Sequence, residues 1–137
     1  MADAPTDTRA TVQEFLRRLD TWDADAAGKL FADDVDWLVS GASSLPWVGR
    51  RARREQVPEF LKAMWSHFRT DQSTASIDRI VVEGEEAVAL GTFSHVANTT
   101  GRRFTTPVAM HLTVRDGRIV RVHLYEDTYA VARAFRV

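Results

Sequence analysis

The chain has 137 residues, 45% of them hydrophobic, a formal net charge of −1 and no cysteine. This length supports one globular domain, 1–137, able to bury a core or enclose a small pocket, while the near-neutral charge leaves no electrostatic footprint for nucleic acid or an anionic membrane. Disulfides, thiolate nucleophiles and thiolate metal sites are excluded; with no apolar run near the roughly 18 residues of a membrane span and no secretion-signal layout, the expected compartment is the cytoplasm.

In chain order, Met1–Asp7 reads as a frayed polar leader. From Thr8, the apolar positions Val12, Phe15, Leu16, Leu19 and Trp22 recur at helical spacing and predict a helix with one buried stripe. A second, shorter helix begins at a cap of Asp23 or Asp25, carries Ala26, Ala27, Leu30 and Phe31 inside, and ends at Asp33-Asp34. Val35–Val39 alternates as a strand, with Val35, Trp37 and Val39 on one face. Ser40–Gly49 is a loop by composition, in which Leu45 and Trp47 fold back over a core or form a lid. The cluster Arg50, Arg51, Arg53 and Arg54 is read as a solvated turn rather than a phosphate site. Helix three, about Arg54–Phe68, presents Val57, Phe60, Leu61, Met64, Trp65 and Phe68 on one side, with Pro58 in its first turn. Ser73–Glu83 is a further strand, and a short helix over Thr128–Phe135 closes the chain, capped by Asp127.

The most informative stretch is Glu86–Asp127, which predicts three long strands, Glu86–Asn98, Arg103–Val114 and Arg118–Glu126. Pairing around Thr99-Thr100 sets Ala89, Gly91, Phe93 and His95 on one face with Phe104 and Thr106 opposite. Treating Arg115-Asp116-Gly117 as a three-residue turn sets Val114 against Arg118 and Met110 against Val122. One face of the last two strands is then apolar: Val108, Met110, Leu112 and Val114 with Val120, Val122 and Leu124. The other carries Ala109, His111, Thr113, Ile119, Arg121, His123 and Tyr125. The apolar face must be the inner one, and its polar exceptions, His95, Thr106 and Glu126, are expected to group toward one end. The order α-α-β-α-β-β-β-β is an α+β pattern in which a mainly antiparallel, curved sheet wraps three helices as a cone, and a cone that helices do not fill leaves a pocket.

Several segments carry a resemblance. The element order, the Phe31-Ala32-Asp33-Asp34-Val35 turn into Trp37, the Leu45-Pro46-Trp47 loop, Arg54-Glu55 opening helix three, and Gly117-Arg118-Ile119-Val120 leading to Tyr125-Glu126-Asp127-Thr128 resemble the SnoaL-like (polyketide-cyclase-like) branch of the nuclear-transport-factor-two-like superfamily, close to the ketosteroid-isomerase-related proteins. The likeness covers Thr8 to Phe135, with Arg53 standing where that family usually has Gly. It implies a conical, cystatin-like fold, a small hydrophobic ligand of polyketide, terpenoid or steroid-like size, no metal or organic cofactor, and a homodimer through the outer sheet face at His111, Arg121, His123 and Tyr125.

The resemblance also exposes departures. The base and oxyanion donors of ketosteroid isomerase fall on Val39, Phe15 and Pro107. The acid/base pair of SnoaL-type cyclases falls on Met110 and Leu124, and the water-activating set of limonene-epoxide-hydrolase-like enzymes on Gly91, Phe93 and Leu124. Two readings remain. One is an enzyme performing cofactor-free cyclisation, isomerisation or hydration, with His95 accepting a proton, Glu126 donating or orienting, and Thr106 as hydrogen-bond partner. The other is a non-catalytic binding protein with the same pocket. In both, Trp37, Val39, Trp47, Gly91, Phe93, Phe104, Val108, Met110, Val122 and Leu124 contact the ligand. Trp22 and Trp65 are assigned to the core, and His67 to the dipole at the end of helix three.

Overall fold

The computed structural model describes residues 4–136. Helix α1 (Ala4–Asp20) begins earlier than the predicted Thr8; the rest of the expected leader, Met1–Asp3, lies outside the described residues. Its stripe buries Val12 and Phe15, with Leu16 and Leu19 half-buried. The chain reverses at Trp22, and Asp23 then caps α2 (Ala24–Gly28), accepting from the Ala26 N–H at 3.0 Å. This helix is shorter than predicted. Phe31, expected inside it, instead opens strand β1 (Phe31–Val39), and pairing with Ile119 draws it into the sheet.

The Arg cluster is a correction. Gly49–Arg53 forms edge strand β2, antiparallel to β1, before helix α3 (Gln56–Trp65). Backbone pairing makes this strand, and its cations meet carboxylates of β1: Arg50 on Asp36 at 3.4 Å and Arg53 on Asp34 at 3.6 Å. After a 3-10 turn at Thr70–Gln72 come β3 (Thr74–Glu83), β4 (Glu86–Val96), β5 (Arg103–Arg115), β6 (Arg118–Glu126) and α4 (Thr128–Phe135). Asp127 caps α4 by accepting from the Ala130 N–H at 3.0 Å.

The six strands form one sheet in the order β2-β1-β6-β5-β4-β3, antiparallel except for the parallel β1–β6 seam. The β4–β5 register follows the expected one, with His95 opposite Phe104 and Phe93 opposite Thr106. The β5–β6 register differs from expectation. Asp116 and Gly117 both take positive φ, 53° and 74°, which is a two-residue turn pairing Arg115 with Arg118. The extra residue appears further along as a bulge between Thr113 and Val114, at Val120. Ile119 is therefore fully buried, Val120 leaves the inner row, and Met110 lies opposite Leu124 instead of Val122. Beyond the bulge the expected alternation holds: Val108, Met110, Leu112, Val122 and Leu124 are all buried.

On the other face, His111 Nε2 lies 2.7 Å from Glu86, and Thr113 donates to the same carboxylate at 2.7 Å. His123 Nε2 is 2.9 Å from Asp36, whose second oxygen accepts from Arg121 at 3.1 Å. The hydrogen bond from His123, with that from Arg121, holds the Asp36 carboxyl below its ordinary range.

The core is aromatic where helices meet the sheet. Phe15 packs edge-on to Phe31 at 5.4 Å, and Trp37 edge-on to Phe60 at 4.7 Å. At the other end Trp47 meets Phe68 and Phe135, so the Leu45–Trp47 loop folds inward and its tryptophan is buried.

Candidate active site

The helices do not fill the cone. A cavity of about 360 Å³ remains, walled by α1, α3 and the inner face of the sheet. Of the residues predicted to contact a ligand, the lining includes Trp37, Val39, Trp47, Phe93, Phe104, Met110, Val122 and Leu124, together with His95 and Glu126.

Three predicted site residues are elsewhere. A Cβ at Gly91 would lie 1.9 Å from the Ser76 carbonyl oxygen, because β3 bulges between Ile77 and Arg79 and its backbone closes over this glycine. Gly91 is thus a close-approach position and not part of the wall. Val108 is buried but off the cavity lining, on the strand that both α1 and α4 pack against. Thr106 is fully buried and its hydroxyl is committed to the backbone, donating to the Pro107 carbonyl at 2.8 Å and accepting from the Asp127 N–H at 2.7 Å. It pins the corner between β6 and α4 rather than facing a ligand.

The wall also holds residues the sequence reading assigned to the core or did not single out. Trp22 and Trp65, edge-on at 4.9 Å, line the cavity instead of filling the core, as do Leu19 and Met64 from the same helical stripes. Polar lining comes from Asp20, Ser73 and Thr74. Helical periodicity shows only which side of α1 and α3 turns inward, so a stripe facing a void reads like one facing packed atoms. His67, expected at a helix dipole, holds the Ala63 carbonyl through Nδ1 at 2.7 Å and lies 5.1 Å from Trp47.

Strand β5 serves as a ruler for the polar groups. His95 lies level with Phe104, Glu126 with Val108, and Trp37, through Val122, with Leu112. Each step of four residues is about 13 Å of strand, so the three sit at successive levels of the wall. His95 and Glu126 are consequently not grouped at one end as expected and make no direct pair.

Their environments differ. The His95 ring stacks on Phe68 with 4.2 Å between centroids and 9° between planes, and Nδ1 lies 2.8 Å from Ser73 Oγ. Burial, reinforced by the charge of Arg103, lowers its pKa to about 4, so the imidazole is neutral at pH 7 and a weak base there. Burial has the opposite consequence for Glu126: with Asp127 adding negative charge, its pKa rises to about 7. Among the described residues no side chain or backbone group hydrogen-bonds the Glu126 carboxyl. The cavity thus contains one carboxyl that exchanges a proton near neutrality and one fixed neutral imidazole. A further polar atom, the Trp37 indole Nε1, is buried and without a hydrogen-bond partner among the described residues.

A curved sheet closing over helices around a mostly apolar cavity is the architecture of the nuclear-transport-factor-two-like (NTF2-like) class of α+β proteins. Within it, the SnoaL-like domain family model matches residues 12–122, and the chain belongs to that family. Among solved structures, an NTF2-like protein of unknown function from Burkholderia pseudomallei is similar at 23% identity and a TM-score of 0.85, covering 96% of this chain and 98% of that one. A putative polyketide cyclase from Xanthomonas campestris pv. campestris is similar at 20% identity and a TM-score of 0.81, covering 96% and 98%. A limonene-epoxide-hydrolase-like (LEH-like) epoxide hydrolase of M. tuberculosis is similar at 20% identity and a TM-score of 0.74, covering 98% and 88%. No curated protein matches. At these identities the likeness is one of fold.

Proposed function

We propose that this SnoaL-like protein binds a hydrophobic small molecule in its cavity and catalyses a cofactor-free isomerisation or cyclisation, with Glu126 as the proton-transferring group. The observation that supports this is the Glu126 carboxyl: inside a mostly apolar cavity, without a hydrogen-bond partner among the described residues, and titrating at about 7. A group with that pKa is half ionised at neutral pH and serves as both base and acid. As carboxylate it takes a proton from a carbon beside a carbonyl, and the electron pair moves onto the carbonyl oxygen as an enolate. As carboxylic acid it returns the proton to the far carbon of a conjugated enolate, which is isomerisation; where the enolate carbon instead attacks a second carbonyl, that carbonyl's electron pair moves onto its oxygen, which takes the proton back from Glu126, and this is ring closure. His95, neutral and held by Ser73 and Phe68, orients the ligand and transfers no proton.

The test is exchange of α-protons of 2-tetralone in D2O, followed by NMR. The wild type should accelerate exchange with a rate that rises through a midpoint near pH 7, and Glu126→Gln should lose about 100-fold or more. Equal exchange by both proteins removes Glu126 from the chemistry. A second reading, a binding protein without catalysis, is favoured by the apolar side chains of Met110 and Leu124 at the wall positions where SnoaL-type cyclases carry their acid/base pair. It predicts saturable binding of 2-tetralone with no exchange above background.

A further inference from the structure

We infer that His95 presents an Nε2–H to the cavity as a hydrogen-bond donor, and that the ligand carries, besides the carbonyl enolised at Glu126, a second oxygen acceptor remote from it. The imidazole is fixed on two sides: it stacks on Phe68 with 4.2 Å between centroids, and Nδ1 lies 2.8 Å from Ser73 Oγ. The two nitrogens of an imidazole point apart, so with Nδ1 turned to Ser73, at the start of edge strand β3, Nε2 faces away from that edge. Nε2 has no hydrogen-bond partner among the described residues, and it is not buried either, because the one buried side-chain nitrogen or oxygen without a partner among those residues is Trp37 Nε1. Nε2 therefore borders open space, and the space beside His95 is the cavity, whose wall it shares with Phe93 and Phe104.

The charge beside the ring sets its tautomer. Arg103 donates through Nη1 to the Gln72 carbonyl at 3.1 Å and to Ser94 Oγ at 2.9 Å, which puts its guanidinium on the Ser73 side of His95, where its charge acts on the ring. A neutral imidazole is lowest in energy with its lone pair toward such a cation, so Ser73 donates to Nδ1 and the proton is on Nε2. The register then specifies the kind of ligand, a step that rests on Glu126 as the reacting group. His95 and Glu126 stand four residue levels apart along β5, about 13 Å of strand, a gap that side chains standing off the sheet do not close. A carbonyl oxygen and the carbon beside it are only two bonds apart, so the acceptor at His95 is not the carbonyl enolised at Glu126. The two groups belong to opposite ends of a rigid skeleton, with Phe93, at the level between them, as its apolar contact.

The experiment compares 6-acetyl-2-tetralone, whose added carbonyl accepts and does not donate, with 6-isopropyl-2-tetralone of nearly the same shape, using 15N-labelled protein with assigned imidazole resonances. Long-range 1H–15N spectra of the free protein should show His95 protonated at Nε2, and the acetyl ligand should displace that nitrogen's resonance further than the isopropyl ligand does. The ratio of acetyl to isopropyl affinity should fall about fivefold in His95→Phe, which keeps an aromatic ring against Phe68 and removes the donor, the worth of one hydrogen bond. Protonation at Nδ1 in the free protein, equal displacement by the two ligands, no displacement by either at their solubility limit, or a ratio unchanged in His95→Phe overturns the assignment. If His95→Phe does not fold, the wild-type spectra decide alone. Glu126→Gln separates the two readings: it should retain the His95 response while losing exchange at the ring carbons beside the ketone. Loss of exchange in that variant without a His95 response in either protein refutes the donor and leaves the role of Glu126 intact.

Discussion

Glu126→Gln should make the protein more stable, by an amount that depends on pH. An unfolded Glu titrates near 4.5, whereas Glu126 in the fold titrates at about 7. Between those values the folded state holds a proton that the unfolded state has lost, so stability falls as pH rises through the window. At about 1.4 kcal/mol per pH unit, ionising this carboxyl inside the cavity costs about 3 kcal/mol by pH 8. Glutamine has nearly the same shape and no charge, so it escapes that cost. Urea unfolding at pH 5 and pH 8 measures the difference between the two proteins. Their stabilities should differ by less than about 1 kcal/mol at pH 5, and the variant should exceed the wild type by about 3 kcal/mol at pH 8, which corresponds to about 10 °C in melting temperature. Taking the difference cancels the opposite trend from Asp36, whose lowered pKa contributes stability that disappears as pH falls. Curves that stay parallel from pH 5 to pH 8 would show that Glu126 ionises as an ordinary surface carboxyl, and the proposed chemistry would lose its basis.

Three other outcomes are expected. Gly91→Ala forces a methyl to within 1.9 Å of the Ser76 carbonyl and should cost roughly 2–4 kcal/mol of stability through displacement of β3, read by thermal melting; a neutral change would show that β3 yields freely. Thr106→Val removes the acceptor for the Asp127 N–H, so it should cost about 1–3 kcal/mol and shift the midpoint of the exchange profile, because Glu126 precedes the freed corner. The outer face carries the apolar row Leu90, Ala109 and Tyr125, in register across β4, β5 and β6, with Tyr125 half exposed. Sedimentation should give twice the 15.4 kDa of the chain, and Tyr125→Glu should return it to a monomer; a wild type that sediments at the single-chain mass throughout refutes pairing through this face.

The inner face of β4 to β6 was legible because side chains alternate along a strand, and a burial preference on one face propagates along it. A bulge interrupts that logic, and nothing in Arg118-Ile119-Val120 distinguishes a two-residue turn with a bulge from a three-residue turn. Only the pairing shows that Asp116 joins Gly117 at positive φ. Strand β2 was illegible for another reason: Gly49-Arg50-Arg51-Ala52-Arg53 has no apolar alternation, since an edge strand pairs through its backbone and its arginines answer the carboxylates of β1. His95 and Glu126 could be placed on the inner face from sequence, but their separation along the wall required the full register. Thr106 shared their face and was still not part of the wall, because its hydroxyl had backbone partners two turns of sequence could not reveal.

The parallel seam between β1 and β6 has a kinetic meaning. Asp36 and Arg121, which meet across it, are 85 residues apart in the chain, so the seam closes a long loop before its contacts reward it. During synthesis β1 waits for β6 to emerge, with Trp37 and the aromatic stripes of the first and third helices lacking the rest of their wall. Fragments that stop short of residue 118 are therefore expected to collapse without native order, and folding should proceed as one late, cooperative event once the last strand arrives.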